Sequence, residues 1–210
     1  MQLADPIPLL AVPVIPVVTI DRAEDAVPLA RALLAGGLNV VEITLRTPAA
    51  LDAVRAIVAE LSDVIVGVGT VTKLLDVGHA IDAGADFLVS PGTPAELAQA
   101  LADAPVPALP GCSTVTEAMA LAAMGFPALK FFPAEPSGGT RWLKAVAEPL
   151  PDIRFCPTGG INGDNAAAYL ALPHVIAVGG SWVAPQAAIA AGDFNGITAR
   201  ARSAAALRSR

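Results

Sequence analysis

The feature that most constrains this chain is a repeated alternation. Short runs rich in β-branched residues, each ending near Gly, Pro, Ser or Thr, are separated by Ala/Leu-rich stretches of helical period. Successive parallel strands need a crossover that returns the chain to the same end of the sheet, so this pattern reads as βα units around a parallel sheet. Eight strand candidates are expected, at 14–20, 40–45, 65–69, 87–90, 108–109 running into Gly111, 128–132, 153–157 and 175–179. Between them lie helical stretches such as "RAEDAVPLARALLAGG", "AALDAVRAIVAEL" and "VTEAMALAAMG". "AGG", "AGA" and "AMG", beginning at Ala35, Ala83 and Ala123, put a glycine where each of three helices is expected to end. Pro28 marks either a kink or a late start of the first helix.

Eight strands predict an α/β fold of the (β/α)8 TIM-barrel type. It is expected as a single domain over residues 1–210, with an N-terminal capping segment at about 1–13 and a C-terminal helix at about 197–210. The structural competitor is an open doubly wound sheet. It requires a glycine-rich turn after the first strand, and "TIDRAED" holds no glycine.

Thirteen basic residues against nineteen acidic ones give a net charge of −6, which argues against a nucleic-acid partner and against attraction to an anionic membrane. Pro, Gly or charge interrupts each apolar stretch before it reaches spanning length. The opening "MQLADPIPLLAVPVIPVV" carries Asp5 and four prolines with no basic lead, so it does not read as a secretory leader. Cys112 and Cys156 sit in apolar strand-like runs without metal-ligand spacing, as expected of reduced, buried thiols in a cytoplasmic protein. His79 and His174 stand alone, so neither a metal nor a cofactor is expected.

Ligands of barrels bind at the C-terminal ends of the strands. In the second strand Glu42, Thr44 and Arg46 share a parity, so all three point to one face while Val41, Ile43 and Leu45 point to the other. Glu42 and Arg46 are open to a second reading, as a buried ion pair that fixes register. Of the three lysines, Lys73 and Lys144 lie in helical contexts and only Lys130 lies in a strand, within "ALKFFPAE". Burial favours a neutral amine, the form that attacks a carbonyl; the alternative is a lysine that packs its stem and pairs its head with Glu42. "CPTGGING" and "VGGSW" follow the seventh and eighth strands, placing Thr158, Gly159, Gly160, Gly180 and Ser181 where barrels cradle a phosphate with backbone N–H groups. "VGVGT" falls short of a dinucleotide fingerprint and reads as a strand end that delivers Thr70.

With these residues in view the chain resembles the 2-keto-3-deoxy-6-phosphogluconate (KDPG) and 4-hydroxy-2-oxoglutarate (KHG) aldolase family. The resemblance rests on "VEITLRTP", "GVGTV", "SPG", "LPGCSTVTEAM", "LKFFPAE", "RFCPTGGI" and "VGGSW", in order on successive strand ends. It implies a class I, metal-free carbon–carbon lyase of the Entner–Doudoroff pathway, cytoplasmic and homotrimeric. Lys130 matches the imine-forming lysine and Glu42 the general acid/base. Arg46 and Thr70 match the residues that hold the carboxylate of the pyruvate moiety. Pro91 and Phe132 match residues shaping that pocket, and Thr158, Gly159, Gly160 and Ser181 those around the distal end and phosphate. "LRTP" and "CPTGG" look more like the gluconate type than the galactonate sister group. Two other readings stay open at this stage: a phosphate-binding barrel with isomerase or synthase chemistry, and a catalytically idle barrel.

Overall fold

In the computed structural model, which describes residues 3, 5–6 and 11–207, the frame is a parallel sheet covered on both sides. Strands β1 (Val14–Val18) and β2 (Val40–Thr44) are buried at every position. Such double coverage is what a near-continuous apolar strand demands. β3 (Ile65–Gly69), β4 (Phe87–Val89) and β5 (Ala108–Leu109) extend the same sheet on one side and β9 (Val178–Gly180) on the other, in the order β5-β4-β3-β2-β1-β9. A second ladder, β6-β7-β8, comprises β6 (Gly111–Cys112), β7 (Ala128–Phe131) and β8 (Arg154–Pro157). Every strand pair is parallel.

The sheet curls, and two seams separate its ladders. The fifth expected strand is divided at Pro110, which has no N–H to give; its carbonyl still accepts from the Lys130 N–H at 3.0 Å. The eighth expected strand lies further along than 175–179. Val175 meets Phe155 in an isolated bridge, and pairing then switches to the opposite neighbour, with Val178 facing Val14. A further isolated bridge joins Thr158 to Gly179. The expected α/β architecture with parallel βα units is therefore present, and its hydrogen bonds draw a six-stranded and a three-stranded ladder rather than one ring.

The connecting helices are α1 (Ala26–Ala35), α2 (Ala50–Glu60), α3 (Leu74–Asp82), α4 (Ala95–Ala102), α5 (Val115–Ala123), α6 (Gly139–Ala147), α7 (Ala166–Leu170), α8 (Gln186–Ala190) and α9 (Phe194–Ala205). In α2 the buried residues are Ala50, Ala53, Val54 and Ile57, the spacing of one helical stripe laid on the sheet. Gly37, Gly84 and Gly125 follow α1, α3 and α5 with φ of 92°, 90° and 96°, so the sequence tripeptides do end helices in the left-handed cap. Pro28 occupies the first turn of α1, where its missing N–H costs nothing; the helix starts late, after a 3-10 turn at Ala23–Asp25.

α6 contains Lys144, in keeping with the helical context read for that residue, although no bounds were expected for the helix. Gly138 and Gly139, at φ of 110° and 57°, give its start the look of a plain turn. It delivers Trp142 onto Phe131, with ring centroids 4.2 Å apart, and edge-on to Phe155. α9 begins at Phe194, ahead of the expected 197, because the Asp193 carboxylate accepts from the Gly196 N–H. It packs on α1 so closely that a Cβ at Gly36 would lie 2.4 Å from that of Ala201. Residues 1–2, 4 and 7–10 of the expected capping segment and 208–210 of the expected terminal helix lie outside the described residues.

Candidate active site

Parity decides which side chains enter the interior. Glu42 faces Val17 on β1 and Gly67 on β3, and Lys130 faces Gly111 on β6 and Cys156 on β8. The two residues belong to different ladders and lie 88 positions apart, yet Lys130 Nζ donates to Glu42 Oε1 at 3.1 Å. Only 5% of Lys130 and 4% of Glu42 is exposed. The Glu42 carboxylate thus pairs with Lys130 and not with Arg46. A Cβ on Gly69 would stand 2.0 Å from Glu42 Oε1, so the absence of a side chain there gives the carboxylate its place. Lys130 Nζ also lies 5.4 Å from the centre of the Phe132 ring.

Cys156, beside Lys130 in the ladder, has its thiol pushed up to about 12 by burial, and Cys112 likewise stands at about 12 through burial. Both are buried, free thiols, as expected from the sequence. His174 is buried, lies edge-on to Phe155, and leaves Nε2 without a hydrogen-bond partner among the described residues. Burial holds its pKa below the ordinary histidine value. Among the described residues no group of three or more His, Cys, Asp or Glu has the arrangement of a metal site.

The other expected residues surround the strand ends. Thr70, directly after β3, has φ 63° and is the one non-glycine residue with positive φ among the described residues. For a β-branched side chain this is a strained conformation, held by its neighbours: the Gly69 carbonyl accepts from Leu45 and the Val71 N–H donates to Val89. Pro91 lies against β6, where Ser90 Oγ accepts from the Gly111 N–H at 3.1 Å and Thr93 Oγ1 donates to the Gly111 carbonyl at 2.9 Å. Thr158 is buried, and the turn after β7 is stitched to it. Ala134 donates to the Thr158 carbonyl at 2.8 Å and Glu135 to that of Gly159 at 3.0 Å.

Arg46, Gly160 and Ser181 come together around a cavity of about 540 Å³, with Thr19, Asn162, Trp182 and Gln186 completing much of its lining. Gly159 and Gly160 both take positive φ in the turn that borders it, and Gly180 leaves room for the Trp182 ring. Arg46 is exposed and makes no side-chain hydrogen bond or ion pair among the described residues, so its guanidinium is available to an anion. Thr19, Ser90, Thr93 and Asn162 were not singled out from the sequence. Thr19, Ser90 and Thr93 could have been, since each is a hydroxyl residue at or just past a strand's C-terminal end. Asn162 carries no such signal.

The model of the family "KDPG and KHG aldolase" matches residues 8–200. The 2-dehydro-3-deoxy-phosphogluconate aldolase of Dickeya dadantii is 49% identical over 198 residues, covering 94% of this chain and 93% of that protein. The KHG/KDPG aldolase of Escherichia coli K12 is 47% identical over 192 residues, covering 91% and 90%. The crystal structure of KDPG aldolase from Legionella pneumophila, with pyruvate captured as a covalent carbinolamine intermediate, superposes with a TM-score of 0.94 at 42% identity, covering 96% of this chain and 98% of that one. The parallel βα frame, the buried lysine–glutamate pair within it and these matches over nearly the whole length lead to one assignment: the chain belongs to the KDPG and KHG aldolase family.

Proposed function

We propose that this protein is a class I aldolase that cleaves 2-dehydro-3-deoxy-6-phosphogluconate to pyruvate and D-glyceraldehyde 3-phosphate, and 4-hydroxy-2-oxoglutarate to pyruvate and glyoxylate. The observation that carries the reading is the 3.1 Å contact between Lys130 Nζ and Glu42 Oε1 in a buried setting. Glu42 is within reach to take the amine's proton. The neutral Nζ adds to the C2 ketone, Glu42 passes its proton to the carbinolamine hydroxyl, which leaves as water, and a protonated imine remains beside the carboxylate. Glu42, directly or through one water, removes the C4 hydroxyl proton, and the C3–C4 bond breaks. Its electron pair moves into the imine to form an enamine, and the aldehyde departs. Protonation at C3 and hydrolysis then release pyruvate and the free amine.

Arg46 and Thr70 hold the substrate carboxylate, for which a guanidinium fork is suited. Pro91 and Phe132 shape the pyruvate pocket; Thr158, Gly159, Gly160, Gly180 and Ser181 receive the distal end and phosphate. Gluconate stereochemistry is supported by the names of the relatives at 47% to 49% identity.

At the level of the whole molecule the reading is a single-domain, closed (β/α)8 barrel. It is supported by the Pro110 carbonyl bridging one seam and the two isolated bridges spanning the other. It is cytoplasmic, in keeping with the free thiols, and homotrimeric. Leu74, Leu75 and Met119, all more than half exposed on α3 and α5, supply apolar surface for association.

Incubation with pyruvate followed by borohydride is expected to leave a reduced adduct on Lys130, located by peptide mass mapping. A protein that acquires no adduct there is not this kind of aldolase. Lys130→Arg is expected to keep the fold, read by circular dichroism, and to lose cleavage in a coupled pyruvate assay, because a guanidinium is a poor nucleophile at neutral pH.

A further inference from the structure

β1 and β2 run in register with Val17 facing Glu42 and Val18 facing Ile43, so Thr19 continues the row beside Thr44, on the same interior face as Glu42. Thr44 is buried, and its Oγ1 donates to the Val18 carbonyl at 2.9 Å. Thr19 Oγ1 lies 3.1 Å from Thr44 Oγ1. A hydroxyl has one hydrogen and two lone pairs. Thr44 has committed its hydrogen to Val18, so the hydrogen in the second contact comes from Thr19; otherwise two lone pairs would face each other. The chain of donors runs Thr19 to Thr44 to the Val18 carbonyl. It leaves Thr19 Oγ1 with acceptor capacity only.

This oxygen belongs to a half-buried residue lining the cavity that Arg46, Gly160 and Ser181 also line, and Thr19 borders a second cavity of about 220 Å³ beside it. We propose that Thr19 is a specificity-determining residue whose oxygen accepts a hydrogen bond from the substrate's C5 hydroxyl. The inference rests on the aldolase reading above. There the carboxylate lies at Arg46, the phosphate at Gly160 and Ser181, and the C4 hydroxyl gives its proton to Glu42. The C5 hydroxyl lies between those ends, takes no part in bond making, and needs an acceptor. Thr19 is fixed as one by its neighbours rather than by its own rotation. A hydroxyl free to turn could serve a donor or an acceptor equally; this one discriminates.

The test runs the reaction in the aldol direction, pyruvate plus either glyceraldehyde 3-phosphate or 3-phosphooxypropanal, which lacks the hydroxyl that becomes C5–OH. Thr19→Val, nearly equal in shape, is expected to lower kcat/KM about tenfold more on the hydroxylated aldehyde than on the deoxy aldehyde, the size of one hydrogen bond. Thr19→Ser, which keeps the oxygen, is expected to retain the preference. Equal losses on both aldehydes, or no loss on either, overturn the proposal. Borohydride trapping of pyruvate on Lys130 runs in parallel. An adduct in the unsubstituted protein together with an unchanged aldehyde preference in Thr19→Val rejects only the role of Thr19; failure to form the adduct at all rejects the aldolase reading on which it stands.

Discussion

Glu42 reaches Lys130 only because residue 69 has no side chain, since a methyl group there would stand 2.0 Å from the carboxylate oxygen. Gly69→Ala is therefore expected to displace Glu42 and to sever the 3.1 Å contact. Thermal or urea unfolding should show a loss of about 1–3 kcal/mol, as for overpacking elsewhere. Turnover should fall by about 10²–10⁴-fold, the usual worth of positioned proton transfer. An alanine variant with full kcat would mean that Glu42 acts from another position. His174 gives a second residue-scale expectation. Burial depresses its folded pKa below the unfolded value of about 6.5, so the unfolded chain binds the proton more readily. Its contribution to stability is present above the unfolded pKa and is lost as pH falls through the folded one. Unfolding free energy measured by urea titration should drop as the pH is lowered below about 6.5, and His174→Leu should flatten that part of the profile. Lys130 was legible in the sequence because a strand position makes a lone lysine conspicuous. Thr19 was not, since a threonine at the end of a strand looks like any β-former until a hydrogen-bond chain fixes its polarity.

The helices hold at their ends by local means, and those means can be tested one at a time. At the start of α5, Thr114 Oγ1 accepts from the Glu117 N–H at 3.2 Å, and Glu117 Oε2 accepts from the N–H groups of Ser113 and Thr114 at 2.8 and 3.0 Å. This is a capping box written in "STVTE". The Ser113 N–H in the first place, with the Thr114 N–H and the two hydroxyls, holds the Glu117 carboxyl below its ordinary value. Thr114→Ala is expected to cost about 1 kcal/mol in urea unfolding at neutral pH. Little change would mean that α5 is kept in place by its packing alone. Elements with such local signals were the ones read correctly: α1, α3 and α5 each end at a glycine of positive φ, as their tripeptides announced. For α6 only the helical context of Lys144 was legible; its start was not, because the two glycines there imitate a loop.

For the molecule as a whole, association is the open quantity with a direct measurement. On the trimer proposed above, sedimentation equilibrium is expected to return about three times the 21.1 kDa chain mass, with the apolar residues left exposed on α3 and α5, Leu75 at 72% among them, covered by association. A monomer at micromolar concentration would refute the trimer. The alternation of apolar runs and helical stripes determined by itself that this chain builds parallel βα units. Both periods are local properties of neighbouring residues, and a crossover helix is what parallel pairing requires. Strand parity likewise put Glu42 and Thr44 on one face, whereas Arg46 falls in the turn beyond β2, outside the reach of that period. Where one ladder ends and the next begins, that Glu42 meets Lys130 rather than Arg46, and which hydroxyl of the Thr19–Thr44 pair gives its hydrogen were decided by tertiary structure alone. Each depends on groups from distant parts of the chain competing for one partner, and such a competition has no outcome until the sheet has curled and brought them within bonding distance.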